Sequence, residues 1–595
     1  MFSFRKEAIS FFILVAASLL VYSRGLNIHG IEYRDDEIFY YKSTQEMVAT
    51  GDYLSPKYFG EDRFQKPILY YWLITLSYKL FGVGWTGARF VAVLFAGLSV
   101  GVTWLLGQRL FGPRVAHLSA VILMTVPLFF RHAKNAVPDM VLNFFIVLAL
   151  YYAVRVIQAV PPDAARGQTR GPGSSKDSLL FFTACAVGFM VKGFAALIVP
   201  FLTVIVYGLM ARDRKILSEF QFGRGMVVVL LIVCPWFLYM FGAHGHEYLN
   251  YMLIDETKNR LITGGSGNFF LKQAGNFLDH IAFYSGVIGS YFAPWCVFLI
   301  GGIPLAFAKI KAGDRAREGL RIILTWFFVV FLFFSTMYFS INHYMLVLTT
   351  PFALLVSIFL LEGFRKEYAF GRAVAFFRKF ALIALFTVCS IAFGFLFVFM
   401  SDAGKWWLAV FLPAYLVIVQ IMARSKDTMT PAMIMGIFLA FAFSQSALLD
   451  RAGITTHAAL QKFAGVIHQQ IQDRATQDAV IGVGSHDIHE KEFQVYFDQR
   501  VEKAAGSMPD ETMARLRSLF STKNELYCLI TDVDFHRFIE GAFPGKIEVL
   551  QEDYIIRKRF NIDSGFFVAI MKLDQQTVHD YMKEKLVLIR KKPDA

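Results

Sequence analysis

The residues in this sequence best placed to do chemistry are ionisable groups that stand where apolar segments end. Asp35, Asp36 and Glu37 follow the first hydrophobic segment, Lys66-Pro67 opens an aromatic-rich stretch, and Asp139 follows Pro138. Lys192-Gly193 separates two apolar runs, Arg260 closes the segment ETKNR, and His343-Tyr344 ends SINHY. A charge at a membrane edge costs desolvation, so it is more often kept for proton transfer, anion binding or a counter-charge than for decoration. Carboxylates so placed serve as general bases, and a lysine or arginine nearby stabilises an anion. Structural roles compete at every position. The acids at 35–37 suit the first turn of a helix running through Tyr40, and Asp139 suits another helix start. Lys192 suits a snorkelling span end, Arg260 a partner for Asp255 or Glu256, and His343-Tyr344 an aromatic belt. His244 and His246, one glycine apart, are the candidate ligands for a divalent ion. Two histidines in a loop are also often simply exposed.

Such groups need a scaffold, and composition names its class. Of 595 residues, 56% are hydrophobic and 18% charged, with a mean hydropathy of +0.48. That is the profile of a polytopic α-helical membrane protein. Apolar runs long enough to span a bilayer fall near 8–26, 88–108, 115–131, 138–157, 178–191, 194–211, 225–242, 284–308, 321–339, 344–361, 378–400, 406–423 and 430–449, about 13 in all. Arg5 and Lys6 precede the first run with no clear small-residue cleavage site after it, which reads as a retained span. With that end cytoplasmic, the inner connections collect the basic residues, from Arg109 and Arg114 through Lys309 and Arg321 to Arg424 and Lys426. Each obeys the positive-inside rule. The net charge of +13 is therefore topological, and a nucleic-acid partner is excluded. Cysteines 185, 234, 296, 389 and 528 form neither a disulfide framework nor a zinc spacing.

The same alternation puts the chemically interesting groups on the outer face. Residues 27–87 form an outer stretch with short amphipathic helices, 243–283 a long outer loop, and 451–595 a water-soluble α/β domain beyond a membrane domain of 1–450. In that last part, 457–474 has helical spacing, and 479–483, 526–530, 546–550 and 566–571 read as strands. GVGSH after the first strand lacks a full phosphate-binding fingerprint and reads as a plain turn.

One pattern is specific over about fifty residues: Asp36-Glu37 with Tyr40, Glu46-Met47, Gly51-Asp52, Pro56, Phe64, Lys66-Pro67, Tyr71-Trp72, Leu80-Phe81-Gly82 and Arg89. It resembles the bacterial branch of the protein O-mannosyltransferase-like family, which includes the lipid A aminoarabinose transferases. The resemblance continues more loosely through Asp139, Lys192-Gly193, Arg260, Pro294-Trp295 and Tyr344. It implies a type C (GT-C) glycosyltransferase of the bacterial inner membrane, with the C-terminal domain periplasmic. Such an enzyme takes a sugar from a polyprenyl-phosphate donor to lipid A, another envelope glycan or a protein, by inverting displacement. In that reaction Asp36 is the candidate base, with Glu37 beside it and Asp139 as a second acid in the same cavity. Lys66, Lys192 and Arg260 neutralise the leaving phosphate, and Tyr40, His343 and Tyr344 complete the substrate site. Two departures stand out. Relatives commonly carry an acid before Lys-Pro, where this chain has Gln65, and a lysine before the later tyrosine, where it has SIN. The first puts in doubt any metal site that uses that acid. A secondary transporter and a non-catalytic envelope assembly protein remain the alternatives, although the charges gather at the outer interface rather than mid-membrane.

Overall fold

A computed structural model describes residues 2–27, 36–159, 172–211, 214–251, 269–337, 339–362, 369–400, 407–444 and 456–474, and 480–484, 493–494, 496–497, 501–503, 509–522, 525–556, 577 and 583–592 of the C-terminal part. Two compact units result: one comprises 1–26, 43–387 and 418–444, the other 27–42, 388–417 and 445–595.

The first unit is helical. Its elements begin with α1 (Phe2–Tyr22), α2 (Asp36–Thr50, whose first half belongs to the other unit), and a small hairpin of β1 (Lys57–Tyr58) with β2 (Glu61–Asp62). Then follow α3 (Leu69–Phe81), α4 (Trp85–Phe111), α5 (Pro113–Met124), α6 (Pro127–His132), α7 (Asp139–Gln158), α8 (Pro172–Lys192), α9 (Ala195–Ala211), α10 (Arg214–Glu219) and α11 (Phe222–Leu249). Among the described residues six helices are long and apolar enough to cross a bilayer, seven if a bent pair counts as one span. The chain is a multi-pass membrane protein. Its burial pattern agrees: Asn342–Leu361 is almost wholly packed inside, whereas α11 exposes Leu230, Leu231 and Leu238, as a lipid-facing helix does.

Two expectations need correction. The run 284–308 was expected to cross as one helix; instead a helix ending at Tyr291 meets Trp295–Lys311 at 115°. Pro294 explains it, since proline supplies no backbone donor and disfavours helix in the residue before it. The outer loop expected at 243–283 is shorter, because α11 continues to Leu249 across a kink at Gly245 and the next helix begins at Phe269.

Helices α7 and α8 are antiparallel neighbours, and ion pairs fix their register at both ends. Asp139 near the start of α7 meets Lys192 at the end of α8, and Arg155 near the end of α7 meets Asp177 near the start of α8 at 3.0 Å. The two rungs stand about 24 Å apart at 1.5 Å per residue. Between them α8 packs closely at Gly188 against both α7 and α9: an added Cβ would lie 3.0 Å from the Phe145 Cβ of α7 and 2.9 Å from the Ala196 Cβ of α9. Neither atom is the end of a flexible chain, so Gly188→Ala is expected to destabilise the protein by about 1–3 kcal/mol and to displace Lys192, one turn away. Thermal unfolding of the purified protein checks this; an unchanged midpoint would mean the helices can part without loss.

In the second unit, β3 (Val480–Val483), β4 (Val501–Lys503), β5 (Leu526–Thr531), β6 (Ile547–Ile556) and β7 (Lys583–Lys591) form one sheet in the order β4-β3-β5-β7-β6. The β3–β4 and β3–β5 pairs are parallel, the two pairs made by β7 antiparallel. Both faces of β5 are covered. Tyr527 and Leu529 pack with Leu460, Phe463 and Ile467 of the helix Thr456–Arg474, while Leu526, Cys528 and Ile530 pack with Leu516 and Phe520 of the helix Pro509–Thr522. A strand buried on both faces reads as an unbroken apolar run, which is why LYCLI was legible. Burial pushes the Cys528 thiol up to about 12. The segment 566–571 and the turn beyond Gly484 lie outside the described residues.

Candidate active site

The site is assembled from helix ends. Asp139 is the first residue of α7, where the helix dipole favours an anion, and Lys192 is the last of α8, where it favours a cation. Gly193, in the left-handed region at φ +84°, ends α8 and returns its N–H to the Phe189 carbonyl, releasing the chain into Phe194 and α9. Lys192 Nζ donates to Asp139 Oδ1 at 2.7 Å, with the two side chains only 12% and 5% exposed. His343, on a tight helical turn after the extended Ile341, brings its Nε2 to 3.4 Å from the same oxygen. Tyr344 stacks on Phe334, ring centroids 4.6 Å apart.

These groups face one cavity of about 290 Å³. Gln65, Lys66 and Pro67 form one part of its wall, Asp139, Lys192, Gly193, His343 and Tyr344 another, and Phe194, Ile198, Phe333, Phe334, Leu346 and Val347 the apolar remainder. Lys66 Nζ donates to the Gln65 carbonyl at 2.8 Å. The cavity thus pairs cations with a greasy flank, which suits an anion attached to an apolar tail. Its apolar residues were not singled out in the sequence, because with 63 phenylalanines no individual one stands out.

The other expected residues are not among those lining this cavity. Asp36 and Glu37 occupy the first turn of α2, Asp36 exposed, Glu37 and Tyr40 buried; all three belong to the second unit. Arg260 lies outside the described residues. His244 and His246 do not converge on a common point: His246 packs its ring against Phe241, while His244 turns to the β1–β2 hairpin. Among the described residues no three His, Cys, Asp or Glu side chains are grouped to hold a metal ion.

His244 sits in a Ser-His-Asp line, with Nε2 3.2 Å from Ser55 Oγ and Nδ1 3.4 Å from Asp62 Oδ2. A hydrolase would need free backbone donors for an oxyanion. Here the N–H groups of Leu54 and Ser55 both go to Asp52 Oδ1, Ser55 is buried, and Phe64 covers the histidine ring. The line is a clip that holds the hairpin on α11, together with the bond from Trp236 Nε1 to the Leu54 carbonyl. Fluorophosphonate probes are expected to leave Ser55 unlabelled, and Ser55→Ala to cost about 1 kcal/mol of stability; covalent labelling at Ser55 would contradict this.

Comparison with known proteins fits this geometry. Residues 65–239, which include Lys66, Asp139 and Lys192, match the family described as dolichyl-phosphate-mannose-protein mannosyltransferase. An undecaprenyl phosphate-alpha-4-amino-4-deoxy-L-arabinose arabinosyl transferase of Pseudomonas fluorescens is 30% identical over 372 residues, 61% of either chain. An uncharacterized protein of Aquifex aeolicus is 28% identical over 64% of this chain and 68% of its own. The crystal structure of ArnT from Cupriavidus metallidurans bound to undecaprenyl phosphate has the same fold, with a TM-score of 0.64 over 97% of both chains at 18% identity. Over residues 65–239 the chain is thus similar to that mannosyltransferase family, and its fold is that of ArnT. The match spans about three fifths of the length of the named curated transferase. The buried Asp139–Lys192 pair lies inside the matched stretch, at one end of α7 and α8, where two buried charges add little to stability by themselves.

Proposed function

We propose that this protein is an integral-membrane glycosyltransferase that moves a sugar from a polyprenyl-phosphate carrier to a lipid, glycan or protein acceptor on the outer side of the inner membrane. The observation that carries the reading is the cavity in which Lys66, Lys192, Asp139 and His343 share a wall with a phenylalanine-rich flank. Phosphate needs the cations and the prenyl chain needs the flank. The topology that goes with it has about 13 spans, a cytoplasmic N-terminus and the C-terminal α/β sheet on the periplasmic side.

The reaction assigns each group one task. Asp36 takes the proton of the acceptor hydroxyl as its oxygen bonds to the anomeric carbon, with Glu37 and Tyr40 beside it on the helix. The bond from that carbon to the phosphate oxygen breaks on the opposite face, so the configuration inverts and the electron pair leaves with polyprenyl phosphate. Lys66 and Lys192, with Arg260, hold the charge that develops, and no acid is needed to protonate the leaving group. Asp139 keeps Lys192 extended, and His343 shares its carboxylate. Tyr344, stacked on Phe334, walls the entry. The test is transfer itself: membranes containing the full chain are supplied with polyprenyl-phosphate-linked radiolabelled sugar. Label passing to a lipid, glycan or protein fraction supports the reading. Label remaining on the carrier with every acceptor fraction of the envelope would overturn it.

A further inference from the structure

We infer that Tyr291 is a positioning residue for this site: it ties together the two chain segments whose side chains, Asp139 and His343, meet on the cavity wall. This rests on the reading above, and Tyr291 itself is not among the residues lining the cavity. The turn that carries His343 and Tyr344, Asn342–Leu348, is a short 3-10 helix with the extended Ile341 before it and no side-chain cap. Within the turn the Tyr344 N–H reaches the Ile341 carbonyl at 3.1 Å. Its entry is held from outside, by the helix Phe269–Tyr291. The Ile341 N–H donates to the Tyr284 hydroxyl at 3.3 Å, and Asn342 Nδ2 donates to the Tyr291 hydroxyl at 3.2 Å. The two tyrosines stand two turns apart on one face of that helix.

Tyr291 also reaches the other segment. The Arg131 guanidinium lies over its ring, 5.9 Å from the centroid. Arg131 is on α6, and from there the chain runs through Lys134 and Pro138 into Asp139. One side chain therefore touches the approach to Asp139 and the neighbour of His343, and the two groups so placed stand 3.4 Å apart. The ring of His132, beside Arg131, lies 6.2 Å from that of His343, so the same two segments run together there. The corner that presents Tyr291 is firm: Phe292 and Trp295 are wholly buried, and Trp295 Nε1 donates to Thr125 Oγ1 at 3.0 Å where α5 ends. Water can satisfy the Asn342 amide, but it cannot fix a distance as a hydroxyl on a packed corner does. The distance matters at the cation. Asp139 holds Lys192 at 2.7 Å, and a turn that drifts carries His343 away from that carboxylate and changes how the ammonium meets a phosphate.

The experiment is equilibrium binding to the full chain in lipid nanodiscs, with undecaprenyl phosphate and undecaprenol as probes; the ratio of their affinities reads the headgroup alone. Tyr291→Phe removes the hydroxyl and keeps the ring over which Arg131 lies. It is expected to lower the preference for the phosphate about three- to tenfold, the worth of one hydrogen bond, and to leave undecaprenol binding as it is. Asn342→Ala should lower the preference by a similar factor, and the double variant no further, because each change removes the same interaction. An unchanged ratio in Tyr291→Phe, an equal loss of both lipids, or losses that multiply in the double variant would each overturn the inference while the donor reading stands. Undecaprenyl phosphate binding no better than undecaprenol in the unaltered protein would overturn the donor reading, and this inference with it.

Discussion

Asp36→Asn is expected to lower the rate of sugar transfer by about 10²–10⁴-fold, the usual loss when a general base is removed, while donor binding and protein level stay unchanged. The alternative base would be Asp139, and its surroundings argue against that. Its Oδ1 is shared by the Lys192 ammonium and the His343 ring, so the oxygen is engaged in holding the cation of the site. Asp36 stands exposed in the first turn of α2. Asp36→Glu should recover part of the rate, since the longer side chain keeps the acid function. Single-turnover transfer separates the cases: a slow chemical step with normal donor affinity identifies a base, and a normal chemical step in Asp36→Asn would move the role elsewhere.

Lys192→Met carries the second large effect, on stability as well as activity. Removing the ammonium at 2.7 Å leaves the Asp139 carboxylate, 95% covered, without the cation that offsets its desolvation. Breaking a buried pair from one side costs about 3–5 kcal/mol. Removing both charges should cost less, so the double variant Asp139→Asn with Lys192→Met is expected to unfold at a higher temperature than Lys192→Met alone. Both variants should lose at least about tenfold in affinity for undecaprenyl phosphate, because the phosphate loses a cation in each. The contrast distinguishes stability from function: the double variant regains fold stability without regaining the donor. Identical unfolding midpoints for Lys192→Met and the unaltered protein would mean that water solvates the pair.

Much of this site was visible in the sequence, for a physical reason. Asp139 and Lys192 interrupt or end long apolar runs, and ionisable groups there are conspicuous because the membrane tolerates so few. Their meeting followed from α7 and α8 being consecutive and antiparallel, which puts the start of one beside the end of the other. What stayed hidden depends on long-range contact. His244 reaches Ser55 and Asp62 across more than 180 residues, and the His-Gly-His spacing that suggested metal ligands encodes nothing of that. The turn at Pro294 was masked because apolar residues continue on both sides of it. In the C-terminal sheet, β5 was legible as an apolar run, while β7 was not, since its lysine- and glutamate-rich ends hide a buried Leu586–Ile589 centre that pairs with β5.

The account stands or falls on where the donor's phosphate lies. A structure of the full chain with undecaprenyl phosphate measures it directly. Phosphate oxygens within about 3 Å of the ammonium groups of both Lys66 and Lys192, with the prenyl chain against Phe333 and Phe334, is the result expected. A phosphate more than about 8 Å from both lysines, beyond the reach of a screened ionic contact, would contradict it.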